Sequence, residues 1–174
     1  MTRLSSLSST LIAARDTLAT ITPLRKDCGS FCGAACCQPD ENDQGGMILF
    51  PGEEQFYQRC DWATITESEL LIHHQPLYLL TCDGQCKRAE RPLACRIFPL
   101  TPYIKADRLQ IILDVRAWPI CPLMPSGVDG LSGEFVLAVQ TAMHALWRED
   151  AHRAYMVELT RMIDMFKLYF NTRC

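Results

Sequence analysis

Residues 81–100 run TCDGQCKRAERPLACRIFPL. Cys82, Cys86 and Cys95 stand within this stretch, Arg96 follows Cys95 directly, and Pro92 and Pro99 flank the third thiol. Lys87, Arg88, Arg91 and Arg96 set cations among these thiols. Upstream, residues 28–37 run CGSFCGAACC and supply Cys28, Cys32, Cys36 and Cys37. The expectation is that the two runs fold towards one another around metal, and that this convergence organises the first two-thirds of the chain.

The cysteine count carries that expectation. Ten cysteines in 174 residues admit two main explanations, disulfides or metal. Residues 1–22 show scattered serines and no apolar run longer than 11–14, so no secretory signal is visible. No stretch approaches the ~20 apolar residues of a membrane span. The expected compartment is therefore cytoplasmic, where thiols stay reduced and dense cysteine points to metal. Hydrophobic residues make up 48% and charged residues 21%, a globular composition. A net charge of -3 speaks against broad nucleic-acid binding, which shows as a basic domain.

Outward from the cysteine runs, periodicity predicts the framing elements. Leu4, Leu7, Leu11, Ala14, Leu18 and Ile21 fall at helical spacing, and Thr22-Pro23 ends that helix. Cys28, Cys32 and Cys36 would share one helical face, although Gly29 and Gly33 favour a loop or a broken helix. The tail 38–46, QPDENDQGG, is a polar turn. A short strand is expected at 47–50 and a short helix at 53–62. Thr66 and Glu69 have capping-box spacing ahead of an apolar run, and 76–80 is a strand. Residues 103–118 predict a strand pair or one long strand. From Glu134 onward neither glycine nor proline occurs. Phe135, Val139, Met143, Leu146 and Trp147 form one stripe and Tyr155, Leu159, Met162, Phe166 and Tyr169 another, predicting two helices with a break near 148–152, or one long helix.

The fold class expected is thus α+β and mostly helical. A small, loop-rich cysteine core with short strands lies between an N-terminal helix and a C-terminal helical hairpin or long helix. The corresponding divisions are 1–23, an amphipathic helix; 24–125, a cysteine-cluster metal-binding domain; and 126–174, a helical extension packed on it.

Thiolates are the natural ligands of zinc and of iron–sulfur clusters. Eight cysteines are grouped as candidate ligands: Cys28, Cys32, Cys36, Cys37, Cys82, Cys86, Cys95 and Cys121, the last isolated between Pro119 and Pro122. They suffice for two mononuclear sites or for one multinuclear site. Adjacent side chains diverge, so Cys36 and Cys37 either serve two metals or leave one thiol off the metal. A tetrathiolate zinc centre carries a charge of -2 and needs cations or amide donors when buried. Arg96, beside Cys95, is the first candidate, with Arg91, Arg88, Arg25 and Lys26 behind it.

RPLACRIFPL, the CC pair and the later ICP together resemble the YkgJ-like cysteine-cluster proteins, the CxxCxxCC zinc- or iron-chelating family. Arg91, Pro92, Cys95, Arg96, Phe98 and Pro99 match the family's downstream RPxxCRxFP segment, and ILFPGEE, with Glu53 or Glu54, resembles the step after its first run. The similarity covers roughly residues 24–125. The first run departs from the pattern, being CxxxCxxxCC here. The resemblance implies binding of zinc or iron. A similar arrangement in flagellin lysine methylases implies an iron–sulfur cluster.

Three functions follow as expectations. The first is a metal-binding protein, structural or metal-handling in role. The second is an iron–sulfur protein, acting as a redox component or as part of a protein-modifying enzyme. The third is a metal-stabilised interaction module that meets a protein partner through its helices. Neither nucleic acid nor membrane is an expected partner, and no catalytic motif is present: HExxH, a P-loop and a dinucleotide fingerprint are all missing. Cys60 is expected as a buried thiol and Cys174 as an exposed one. His73 and His74 are weak alternatives as ligands, and His144 and His152 form no cluster.

Overall fold

The computed structural model describes residues 8–38, 46–82, 84 and 86–171, with side chains through Tyr169. Leu4 and Leu7 of the expected first helix, most of the polar turn after Gln38, and Cys174 lie outside the described residues. Helix α1 spans Ser9–Thr17. Ser8 caps it, its hydroxyl accepting from Leu11 N at 3.0 Å and so satisfying one of the amides a helix start leaves open. Leu11, Ala14 and Leu18 of the predicted seam are buried.

The first cysteine run is neither one helix nor simple loop. Helix α2, Gly29–Cys32, makes a single turn. Gly33 (φ 63°) and Ala34 (φ 56°) then both adopt left-handed backbone, and a 3₁₀ turn covers Ala35–Cys37. Strand β1 is Met47–Ile48, and a 3₁₀ turn over Glu53–Phe56 replaces the expected helix there. Strands β2, Ala63–Ile72, and β3, Gln75–Cys82, form a hairpin, and the three strands order as β1–β3–β2, all antiparallel. Cys82 pairs with Ala63 at the far end of that hairpin. Helix α3, Leu93–Ile97, carries Cys95. Strands β4, Leu100–Lys105, and β5, Arg108–Leu113, make a second hairpin in full register from Leu100↔Leu113 to Lys105↔Arg108. Helices α4, Gly133–Leu146, and α5, Asp150–Asn171, follow, with the break between them close to where periodicity set it.

The expectation of a mostly helical chain is therefore wrong. The structure is 46% helix and 21% strand, with two small antiparallel sheets. The difference arises largely at residues 63–72. There Thr66 and Glu69, taken as a helix-capping pair, belong to β2. Ala63 and Ile65 turn inward while Thr64 and Thr66 face solvent, the period of two that a strand imposes. β-Branched Thr64, Ile65 and Thr66 suit that pleat. A register shift between Glu67 and Leu71 interrupts the alternation, and that interruption hid the strand from a periodicity argument.

One hydrophobic core joins segments distant in sequence: Leu11 and Leu18 of the N-terminal region, Leu93 and Ile97 of α3, Phe135, Val139, Met143 and Leu146 of α4, and Tyr155, Met156, Leu159 and Ile163 of α5. Burying each such side chain fully contributes roughly 1.5–3 kcal/mol. The α4 stripe matches the predicted one, whereas on α5 Met156 and Ile163 are buried and Tyr169 is exposed. Helix α5 is fastened across the second hairpin: Thr160 Oγ1 accepts from Ile104 N at 2.9 Å, and Tyr103 donates to Asp164 Oδ1 at 2.8 Å. Among the described residues no helix is long and apolar enough to cross a membrane.

Candidate functional site

Three structural devices aim the cysteines. In the first run, Asp27 begins the turn, accepting from Gly29 N through Oδ1 at 3.3 Å and from the Ser30 hydroxyl through its carbonyl at 2.7 Å. One helical turn stacks Cys32 over Cys28, whose carbonyl accepts from the Cys32 thiol at 3.5 Å. The left-handed pair Gly33-Ala34 then reverses the chain and presents Cys36 to the same side. In the third segment, Cys121 N donates to Ala117 O at 2.8 Å, which holds the thiol between its two prolines.

These elements leave a small cavity lined by Cys28, Cys32, Cys36, Cys95 and Cys121, with Arg88, Arg91 and Arg96 on its wall. Its volume is about 30 Å³, the share of one water molecule in the liquid. That suits an ion and is far below the ~300 Å³ at which organic-ligand pockets begin. Cys37, Cys82 and Cys86 do not line it. They come together beside it: Cys86 lies within electrostatic reach of Cys82 and Cys37, and Cys95 within reach of Cys37, Cys86 and Cys82. Cys95 of the second run thus shares the cavity with Cys28, Cys32 and Cys36 of the first. All nine described cysteines are free thiols. Among the described residues no three Cys, His, Asp or Glu side chains are grouped so as to hold a metal ion.

Burial dominates the thiol energetics. It pushes the Cys28, Cys86, Cys95 and Cys121 thiols above their ordinary range, because a buried thiolate lacks solvation. Neighbouring thiols push Cys28, Cys86 and Cys95 further. Cys36 and Cys37 behave oppositely. Their sulfurs share a hydrogen bond that keeps the proton on Cys36 and, with Arg91 nearby, lowers Cys37 to about 6. A bound metal ion supplies the positive charge that such a set of thiols needs in order to ionise.

Arg88 and Arg91 act on the thiols, whereas Arg96, which also lines the cavity, is tied up by backbone carbonyls. The Arg91 side chain hydrogen-bonds Cys86, and its charge acts on Cys37 and Cys28. Arg96 spends its guanidinium on backbone: Nε donates to Arg91 O at 2.8 Å, Nη2 to Ala89 O at 2.7 Å, and Nη1 to Arg15 O. Successive residues on a helix point about 100° apart, so standing next to Cys95 in sequence does not aim Arg96 at sulfur. Arg88 donates to Ile21 O at 2.5 Å, whereas Arg25 and Lys26 are exposed. The Nε atoms of Arg88 and Arg91 are buried without a hydrogen-bond partner. An anionic group in the adjoining cavity is the kind of acceptor those donors lack.

Beneath the cysteines lies a polar brace that the sequence only hinted at. Glu53 is wholly buried and pairs with Arg15 of α1. Its carboxylate also accepts from Leu93 N at 2.7 Å and Phe50 N at 3.2 Å. Arg15 donates to the Tyr57 hydroxyl at 2.8 Å, which donates to Glu90 O at 2.8 Å. The brace thereby fixes the start of α3, and with it Cys95, to α1. The available signal was Arg15 itself, set between Leu11 and Leu18 at i+4 and i+7 on an otherwise apolar seam.

The remaining candidates fall elsewhere. Cys60 packs with Leu49, Tyr57 and Leu80 in a second small core. His73 and His74 form the β2–β3 turn with left-handed backbone, His73 Nε2 lying 3.6 Å from Asp150 Oδ2 and away from the cysteine cavity. His152 is buried in α5. Comparison of the chain with protein-family models, with curated proteins and with solved structures finds no match.

Proposed function

We propose that this is a cysteine-rich metal-binding protein that chelates zinc or iron through Cys28, Cys32, Cys36, Cys37, Cys82, Cys86, Cys95 and Cys121, in a structural or metal-handling role within a reducing, cytoplasmic compartment. The observation that carries the reading is the ion-sized cavity in which five of these thiols face two arginines with buried, unpartnered Nε atoms. Thiolates select zinc, copper(I) and iron over hard cations, and the two arginines offset the negative charge that several thiolates bring. When bound, the metal supplies the charge that holds the thiols ionised. The chain's own part is to position sulfur, exclude water and direct N–H donors at the centre. The likeness of the 91–99 segment to the cysteine-cluster family agrees with this reading.

The test is elemental analysis of protein purified without oxygen, paired with its absorbance spectrum. Zinc or iron in stoichiometric amount is expected, zinc without visible colour and an iron–sulfur cluster with a broad band near ~400 nm. Protein that folds, keeps its thiols reduced and carries no transition metal overturns the proposal.

A further inference from the structure

We propose that the cysteine cavity of the metal-free chain binds a small monovalent anion of halide size, such as chloride, held by the Nε–H groups of Arg88 and Arg91. The site goes beyond the metal reading, because it rests on the charge of the cavity wall and on two donors there, not on sulfur.

Guanidinium groups stay protonated in proteins, so Arg88, Arg91 and Arg96 bring three positive charges to one cavity. Among the described residues no Asp or Glu lines it. Asp27 acts on Arg88 and Arg91 from outside the lining, and it is exposed, its Oδ1 accepting from Gly29 N at 3.3 Å. Arg96 gives its donors to the carbonyls of Arg91, Ala89 and Arg15 and so contributes charge alone. Arg88 and Arg91 differ from it. Arg88 gives Nη2 to Ile21 O and Arg91 bonds Cys86, but the Nε of each is buried with no acceptor among the described residues. Buried donors are almost always paired in folded proteins. Two unpaired ones, on neighbouring side chains that line one cavity, mark the place of a missing acceptor.

Size selects the anion. The volume of about 30 Å³ admits one water-sized particle. A halide fits it, whereas sulfate or phosphate, with a full tetrahedron of oxygens, does not. Much of the remaining lining is apolar, including Phe98, Pro99 and Leu123. Entry strips the anion of water that such walls do not replace, and the cost is lowest for weakly hydrated ions. The expected order of affinity is therefore bromide above chloride above fluoride. A metal ion with its thiolates would use the same space, so the two occupants exclude one another.

The experiment follows the chlorine NMR linewidth as chloride is added to the reduced, metal-free full chain in sulfate at constant ionic strength. Saturable broadening is expected, and bromide should reverse it where further sulfate does not. Arg88→Gln and Arg91→Gln should each remove most of the broadening, while Arg25→Gln, at an exposed arginine outside the lining, should keep it. Broadening that sulfate displaces as readily as bromide does, or that survives in both cavity variants, would reflect surface charge and overturns the site. So does a wild-type chain that shows no saturable broadening, or one whose circular dichroism shows it unfolded at high chloride. The wild-type displacement pattern decides the matter even if a cavity variant folds poorly. Chloride binding by a chain that takes up neither zinc nor iron would overturn the metal reading alone, and metal uptake without chloride binding would overturn this site alone.

Discussion

Gly84 stands against Cys37 so closely that a Cβ at position 84 would lie 2.7 Å from the Cys37 carbonyl oxygen. The two cysteine runs therefore touch through backbone, independently of anything their sulfurs bind. Gly84 also has φ 79°, in the left-handed region that side chains disfavour. The folded chain brings sulfur together by removing bulk at the point of contact, and the surrounding hydrogen bonds then hold each thiol-bearing turn in place.

Gly84→Ala should accordingly be destabilising on two counts. The left-handed conformation costs a residue with a Cβ about 1–2 kcal/mol, and the contact is with rigid backbone, not with the end of a flexible side chain. The midpoint of chemical denaturation should fall by a corresponding amount, and Cys37 and Cys86 should become more reactive towards an alkylating agent. An unchanged midpoint with unchanged thiol reactivity would show that the two runs do not meet at this point.

The brace under Cys95 makes a second prediction. Glu53 is wholly buried and satisfied by Arg15 and by the amides of Phe50 and Leu93. Removing one member of a buried pair leaves the other charge uncompensated, at a cost of roughly 3–5 kcal/mol. Glu53→Gln should therefore lose several kcal/mol, and Arg15→Met a similar amount. The double variant should lose much less than their sum, because neither charge is then stranded. Simple additivity in the denaturation cycle would refute the pairing.

The residues that sequence made legible are those whose signal is local. Phe135, Val139, Met143 and Leu146 repeat with the helical period and are buried on α4. Leu11, Ala14 and Leu18 do the same at the N-terminal end. The approach of Cys95 to Cys28, Cys32 and Cys36 followed from the density of cysteine in the two runs. Residues 63–72 failed because a bulge breaks their alternation and because Thr66 and Glu69 mimic a cap. Glu53 and Arg15 lie 38 residues apart, and only the tertiary fold pairs them. Arg96 lines the cysteine cavity, but its donors go to the carbonyls of Arg15, Ala89 and Arg91, and Arg91, which sequence ranked behind it, is the side chain bonded to Cys86.

That placement of Arg91 gives a prediction specific to the metal reading. Outer-shell partners of metal ligands typically contribute 10–100-fold in affinity. Arg91→Met should lower zinc affinity within that range, measured by competition with a chromophoric chelator. Arg91→Lys, which keeps the charge and loses the planar fork, should recover part of it. Arg96→Met should instead act on stability, since its donors hold the carbonyls of Arg15, Ala89 and Arg91. Equal effects of the two arginines on affinity at equal stability would remove Arg91 from the charge-balancing role.

His152 makes the fold sensitive to acid without reference to the cysteines. Its ring is buried 6.1 Å from that of Phe50, Nδ1 has no partner, and Nε2 lies 3.2 Å from Glu149 Oε2. Burial holds its pKa below the ordinary imidazole value of 6.5, and Glu149 only partly opposes that shift. On unfolding, the ring regains its ordinary value and takes up a proton that the folded state resists. The unfolded chain therefore binds more protons below 6.5, and stability falls as pH drops through that value towards the depressed folded pKa. Above it the contribution is fully present. Wild-type protein should thus lose stability as pH falls below about 6.5, in proportion to the depression of the folded pKa. His152→Gln, which cannot titrate, should show a shallower slope over the same interval in urea denaturation followed at a series of pH values. Parallel slopes for the two proteins would mean that His152 is protonated as readily in the fold as in the unfolded chain.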